Sequence, residues 1–77
     1  MKRFIVTGGY GFIGSSLIKL LLKKNFKVIN IDKLSYSAQK YNLRGITSKN
    51  YIFIKIDINN KKKILKVLRK YKPHGIF

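Results

Sequence analysis

The 77-residue chain contains no cysteine, no tryptophan and no glutamate, and only one each of proline, methionine, alanine and histidine. Without cysteine there are no disulfides and no thiolate metal ligands. One histidine and two acids, Asp32 and Asp57, are too few for a metal site, so none is expected. A cysteine-free composition fits a reducing compartment, and the expectation is a soluble, cytoplasmic protein. No apolar run approaches the ~18 residues of a membrane span. The apolar stretch behind Met1-Lys2-Arg3 is broken by Gly8, Gly9, Gly11 and Gly14 and has no small-residue cleavage site, unlike a secretory leader. A chain this short supports one modest core, marginal without staples.

Negative charge is also scarce. Two acids face eighteen lysines and arginines, for a net charge of +16. Such a charge is an electrostatic footprint for polyanions, or else the imprint of an AT-rich gene. Lysine outnumbers arginine 15 to 3 and isoleucine occurs 12 times, as AT-rich codons favour. Specific nucleic-acid readers rely on arginine for bidentate contacts. The compositional explanation is therefore preferred, and neither a nucleic-acid nor a membrane partner is expected. It leaves the absence of glutamate unexplained.

What the chain does have is alternation. Phe4-Ile5-Val6 is a short apolar run closed by glycines, the mark of a buried parallel strand. Ile13, Leu17, Ile18, Leu20, Leu21 and Leu22 predict a helix from about Phe12 to Lys24, ending near Asn25. Lys27 to Ile31 predicts a second strand ending at Asp32, and Tyr51 to Ile56 a third. Between them lies a polar stretch, 33–50, with room for a helical turn around Gln39 to Leu43. Asn59 or Asn60 can cap a second helix whose stripe is Ile64, Leu65, Leu68 and Tyr71, stopped before Pro73. Gly75-Ile76-Phe77 reads as the opening of a fourth strand. The order β-α-β-β-α-β implies an α/β fold, a doubly wound parallel sheet of the Rossmann type.

Four glycines crowd the first strand-to-helix corner, Thr7-Gly8-Gly9-Tyr10-Gly11-Phe12-Ile13-Gly14. Gly9, Gly11 and Gly14 satisfy G-x-G-x-x-G, and Gly8, Gly11 and Gly14 satisfy T-G-x-x-G-x-x-G. Both spacings let a chain leave a strand, turn sharply and present helix N–H groups to a pyrophosphate. Asp32 follows Gly14 by 18 residues, where its carboxylate can accept both hydroxyls of an adenosine ribose. That acid favours NAD over NADP by repelling a 2′-phosphate, although Lys33 beside it could pair with one. Asp57 falls at the same carboxyl edge, either as an acceptor for an adenine amino group beside Ile58 or as a plain turn aspartate.

These segments, with "VTGGYGFIGS", "NIDKLSYSAQKYNL" and "YKPHGIF", resemble the start of the extended short-chain dehydrogenases/reductases. Among these, the Asp32-Lys33-Leu34-Ser35-Tyr36 segment is most similar to the dTDP-glucose 4,6-dehydratases. The resemblance covers nearly all of this chain but about the first quarter of such an enzyme. It implies that 1–77 is the N-terminal part of an NAD-binding Rossmann domain, without the substrate domain. Gly8, Gly11, Phe12, Ile13 and Gly14 would hold the pyrophosphate. Asp32 would hold the ribose, lined by Lys33, Leu34 and Ser35, and Asp57 with Ile58 would meet the adenine. It implies a nucleotide-sugar substrate, a homodimer at full length, and a reaction that takes a hydride from C4 and returns it at C6 after water is lost. The family's Tyr-x-x-x-Lys pair lies on a much later helix. Tyr36 and Lys40 match that spacing but fall in the loop after the second strand and are set aside, so no catalytic residue is assigned. His74 stands where the family commonly has an acid, and a helix-to-strand turn favours a solvated role for it.

The resemblance implies a chain inactive by itself, a piece of a longer enzyme or a truncated frame. A sugar epimerase of the same family would begin alike. A basic nucleic-acid module is the alternative of another class, and it needs lysines on one continuous face, whereas the sequence scatters them over both helices and every loop.

Overall fold

The computed structural model describes residues 1–8, 12–33 and 48–77, with Phe12 described for its backbone alone. The expected helical turn at 39–43 lies outside the described residues. Four strands, β1 (Arg3–Thr7), β2 (Lys27–Asp32), β3 (Tyr51–Lys55) and β4 (Gly75–Ile76), and two helices, α1 (Phe12–Lys23) and α2 (Lys61–Tyr71), follow the expected sequence of elements. All strand pairs are parallel, in the order β3-β2-β1-β4. This is the doubly wound Rossmann arrangement. The chain steps one way from β1 through β2 to β3, then returns past β1 to β4. A constant crossover hand therefore puts the two helices on opposite faces.

Strand alternation separates two cores. Val6 and Val28 face α1 and pack with Ile18 and Leu21, while Phe4, Phe26 and Phe53 close the rim. Ile5, Ile29, Ile31 and Ile56 face α2 and pack with Val67, Ile64 and Leu68. Both faces of the sheet are covered, which is why β2 reads as almost unbroken isoleucine and valine. The buried polar residues of β2 are Asp32 at its end and Asn30, fully buried, whose Nδ2 donates to the Tyr51 hydroxyl at 3.1 Å.

The helix ends follow local chemistry. Asn25 adopts φ 63°, Phe26 N–H donates to the Leu21 carbonyl and Asn25 N–H to that of Leu22. This is a Schellman stop with Asn in the left-handed position, and Phe26 packs back near Leu21. Of the two asparagines before α2, Asn60 is the cap, its side chain accepting from Lys63 N–H at 3.2 Å.

A less local device closes the other end of α2. Arg3 Nε donates to the Tyr71 carbonyl at 2.6 Å and Nη2 to that of Lys72 at 3.3 Å. The guanidinium thus answers the last carbonyls of a helix 68 residues away and the negative end of its dipole. Arg3→Ala is expected to lower stability by about 1–2 kcal/mol, with Arg3→Lys restoring only part because it lacks the fork. The midpoint of urea unfolding measures both, and an unchanged midpoint would contradict the capping role.

His74 belongs to the same corner. Its Nδ1 accepts from Arg3 N–H at 3.1 Å, and its own N–H donates to the Arg3 carbonyl at 2.7 Å. The histidine thus ties the start of β4 to β1 at the N-terminal edge of the sheet, the edge away from the glycine corner, and serves the turn.

Candidate functional site

The carboxyl ends of the four strands converge on one edge. There a cleft of about 330 Å³ is lined by Thr7, Gly8, Ile31, Asp32, Lys33, Ile56, Asp57, Ile58 and Asn59. It lies over the ends of β1, β2 and β3, on the carboxyl edge at which doubly wound sheets receive ligands, and reaches the switch point between β1 and β4 only through Thr7 and Gly8.

Gly8 leaves β1 with φ +66°, the left-handed region that favours glycine, and its N–H donates to the Ile31 carbonyl at 3.0 Å. A Cβ built there meets nothing within 4 Å. The glycine is thus required by the turn, and the space beside it stays open on the cleft. Gly8→Ala is expected to cost about 1 kcal/mol from backbone strain alone, lowering the melting temperature by roughly 4–8 °C. A loss above about 3 kcal/mol by thermal unfolding would mean that the side chain meets an obstacle.

Gly14 lies in the first turn of α1 and is half-buried, and Ile13 beside it is 83% exposed. Gly9 and Gly11, like Leu34 and Ser35, lie outside the described residues.

Asp32 ends β2 and is 8% exposed. Alternation puts it on the face of Val28 and Asn30, the α1 side. Lys55 is its register partner on β3, and Lys33 follows it, exposed on the cleft. Asp57 is exposed and holds a turn: its Oδ1 accepts from Asn59 N–H at 2.9 Å and its carbonyl from Asn60 N–H at 2.8 Å. The plain turn role therefore holds for one carboxylate oxygen, while the residue still lines the cleft. Ile58 beside it is 59% exposed, an apolar surface at the rim.

The cleft therefore brings together Gly8, Asp32, Lys33, Asp57 and Ile58. It adds two residues that the spacing arguments do not single out. Thr7 donates its hydroxyl to the Phe77 carbonyl at 2.9 Å, joining the ends of β1 and β4. Asn59 enters as the donor that holds Asp57. The available sequence signals are Thr7 directly before the glycines and the Asp-x-Asn of a side-chain turn.

The Tyr-x-x-x-Lys spacing occurs twice in the chain. Tyr36 and Lys40 lie outside the described residues, and the other pair is Tyr51 and Lys55. Those two sit at opposite ends of β3. Four steps along a strand separate them by about 13 Å, twice the distance across a helix turn. Tyr51 instead partners Asn30 in the sheet.

Comparison with known proteins adds a family. Residues 5–77 match the family model for GDP-mannose 4,6 dehydratase. A dTDP-glucose 4,6-dehydratase of Haemophilus influenzae is 42% identical, over 99% of this chain and 23% of that relative. The structure of dTDP-glucose 4,6-dehydratase from Bacillus anthracis, in complex with NAD, superposes with a TM-score of 0.86 at 34% identity, covering 99% of this chain and 26% of that one. UDP-glucose 4-epimerase of Thermotoga maritima, solved with UDP-glucose, gives 0.80 at 29% identity, over 97% and 23%. The chain thus spans about a quarter of the length of the proteins it matches.

Proposed function

The chain belongs to the GDP-mannose 4,6 dehydratase family, within the extended short-chain dehydrogenases/reductases, and on that premise we propose that it is the dinucleotide-holding part of an NAD-dependent dehydratase acting on dTDP-glucose. One observation carries the cofactor reading: a left-handed Gly8 with open space beside it and a buried carboxylate, Asp32, line the same cleft at the carboxyl edge of the sheet. A dinucleotide needs those two things about one nucleoside apart, a bare backbone for its phosphates and an acceptor for its ribose.

In this reading Gly8, Gly11, Gly14 and the backbone of Phe12 and Ile13 receive the pyrophosphate at the start of α1. Asp32 accepts the adenosine ribose hydroxyls, with Lys33, Leu34 and Ser35 beside them. Asp57 keeps one oxygen on the turn and offers the other to the adenine amino group, over the apolar Ile58. Bound NAD would take up and return the hydride of the sugar. The chain's own share is to hold and orient the dinucleotide and to keep its adenosine half out of water. The sugar reading rests on the named relatives, and the likeness to UDP-glucose 4-epimerase supports an epimerase as the second reading. A homodimer of the larger assembly is part of the same proposal. Among the described residues no helix is long and apolar enough to cross a membrane.

The test is a chimera in which these 77 residues replace the matching segment of the Haemophilus relative. Conversion of dTDP-glucose to its 4-keto-6-deoxy product, with NAD retained and NADP not, is expected. A folded chimera that retains no NAD would overturn the reading.

A further inference from the structure

In a parallel α/β unit every strand begins, and every helix ends, at the same pole. Here that pole is strongly basic. The strand starts bring Lys2, Arg3, Lys27 and Lys49, and the helix ends bring Lys23, Lys24, Arg69, Lys70 and Lys72. These nine are more than half of the described lysines and arginines. Their proximity is direct in several cases. Lys27 N–H donates to the Lys2 carbonyl at 2.8 Å, Arg3 and Lys27 are register partners, and Arg3 reaches the Lys72 carbonyl. Lys27 and Lys70 Nζ both stand over the Tyr71 ring, at 5.7 and 5.2 Å. Neither acid is here: Asp32 and Asp57 both line the cleft at the opposite pole. The gathering of cations that the linear sequence hides is made by the topology.

Two ordinary explanations cover part of this. Cations at helix C-termini answer the dipole, which accounts for Lys23, Arg69 and Lys70. They do not account for Lys2, Lys27 and Lys49 at strand starts. An AT-rich gene explains how many lysines there are, not their gathering at one pole, while the cofactor reading accounts for both acids at the other.

We propose that this basic pole is a docking surface for the sugar-phosphate backbone of nucleic acid, bound without sequence preference. Lysine dominates it, and Arg3 is committed to helix carbonyls, so phosphate charge rather than base edges is what it matches. Met1 and Leu20 are the exposed large apolar side chains at this pole among the described residues, too little for insertion into a lipid surface.

Fluorescence anisotropy of a labelled 20-base-pair duplex titrated with the full chain tests it. The logarithm of affinity should fall with log salt at a slope of about −3 to −5, corresponding to four or five phosphates. The triple variant Lys2→Glu, Lys24→Glu, Lys49→Glu changes exposed side chains only. It should lose tenfold or more in affinity and flatten the slope by about 2–3. Lys61→Glu, Lys62→Glu, Lys63→Glu makes the same net-charge change at the other pole and should lose less than threefold. Circular dichroism confirms that both fold. Equal losses in the two triples would reduce the effect to net charge and overturn the proposal. So would no duplex binding at 0.15 M salt, or tighter binding to phosphatidylserine vesicles than to the duplex.

Discussion

Asp32→Ala is expected to weaken NAD binding by about 30- to 150-fold while leaving the fold intact. A carboxylate accepting two ribose hydroxyls contributes about 2–3 kcal/mol, since hydrogen bonds to charged groups are worth roughly 1.5–3 kcal/mol each and are not additive. Asp32 is 8% exposed at the end of β2, so in the proposed pose those bonds would form away from bulk water, where they are strongest. Discrimination should shrink as well. In the proposed pose the 2′-phosphate of NADP would be repelled by this carboxylate, so the alanine variant should bind the two cofactors with more nearly equal affinity. Lys33, exposed on the same cleft, would then favour the phosphate. Asp32→Asn separates charge from shape. It keeps an acceptor and should fall between wild type and alanine for NAD while losing most of the discrimination. Calorimetric titration of both cofactors into all three proteins, with urea midpoints to show equal folding, decides it. Unchanged NAD affinity in folded Asp32→Ala would remove Asp32 from the ribose site.

Much of this is legible in one dimension because the signals are local. The glycine corner, the apolar run before it and the helical stripe after it predict β1 and α1 to within a residue or two. Asp32 is recognisable because only two acids exist and one falls where a strand ends. Asp57 shows the limit. Its position says carboxyl edge, but the Asn59 N–H that occupies one oxygen is a matter of turn geometry, and the sequence leaves both roles open. Arg3 shows the limit more sharply. Beside Met1 and Lys2 it reads as one more surface charge, and nothing local announces that its guanidinium closes a helix ending at Tyr71. His74 is the exposed turn residue that its position implies, but its pairing with Arg3 stays hidden because the partner is distant in sequence. The basic pole is the extreme case. Its lysines are scattered along the chain and meet only through the rule that parallel strands start at one end.

Ile18→Ala is expected to be the most damaging single change in the α1 layer, costing about 2–5 kcal/mol. Ile18 has no exposed surface and packs with Val6, Leu21 and Val28 where the helix crosses β1 and β2. Truncation leaves a cavity between a rigid sheet and a helix of only 12 residues that has little stability by itself. In so small a domain, total stability is of the order of 5 kcal/mol, so a loss at the upper end of that range would leave up to about half of the molecules unfolded at equilibrium. Leu20→Ala on the same helix is the control. Leu20 is 50% exposed and should stay within about 0.5 kcal/mol of wild type. The consequence reaches the cleft without any contact to it. The pyrophosphate reading depends on the first N–H groups of α1 being held at the end of β1, and Ile18 holds that helix down. NAD should therefore bind Ile18→Ala more weakly in proportion to the unfolded fraction, and saturating NAD should raise the urea midpoint of the variant, as linkage requires. If Ile18→Ala unfolds as expected but NAD does not shift its midpoint, the dinucleotide is not held by α1, and the glycine corner serves the turn alone.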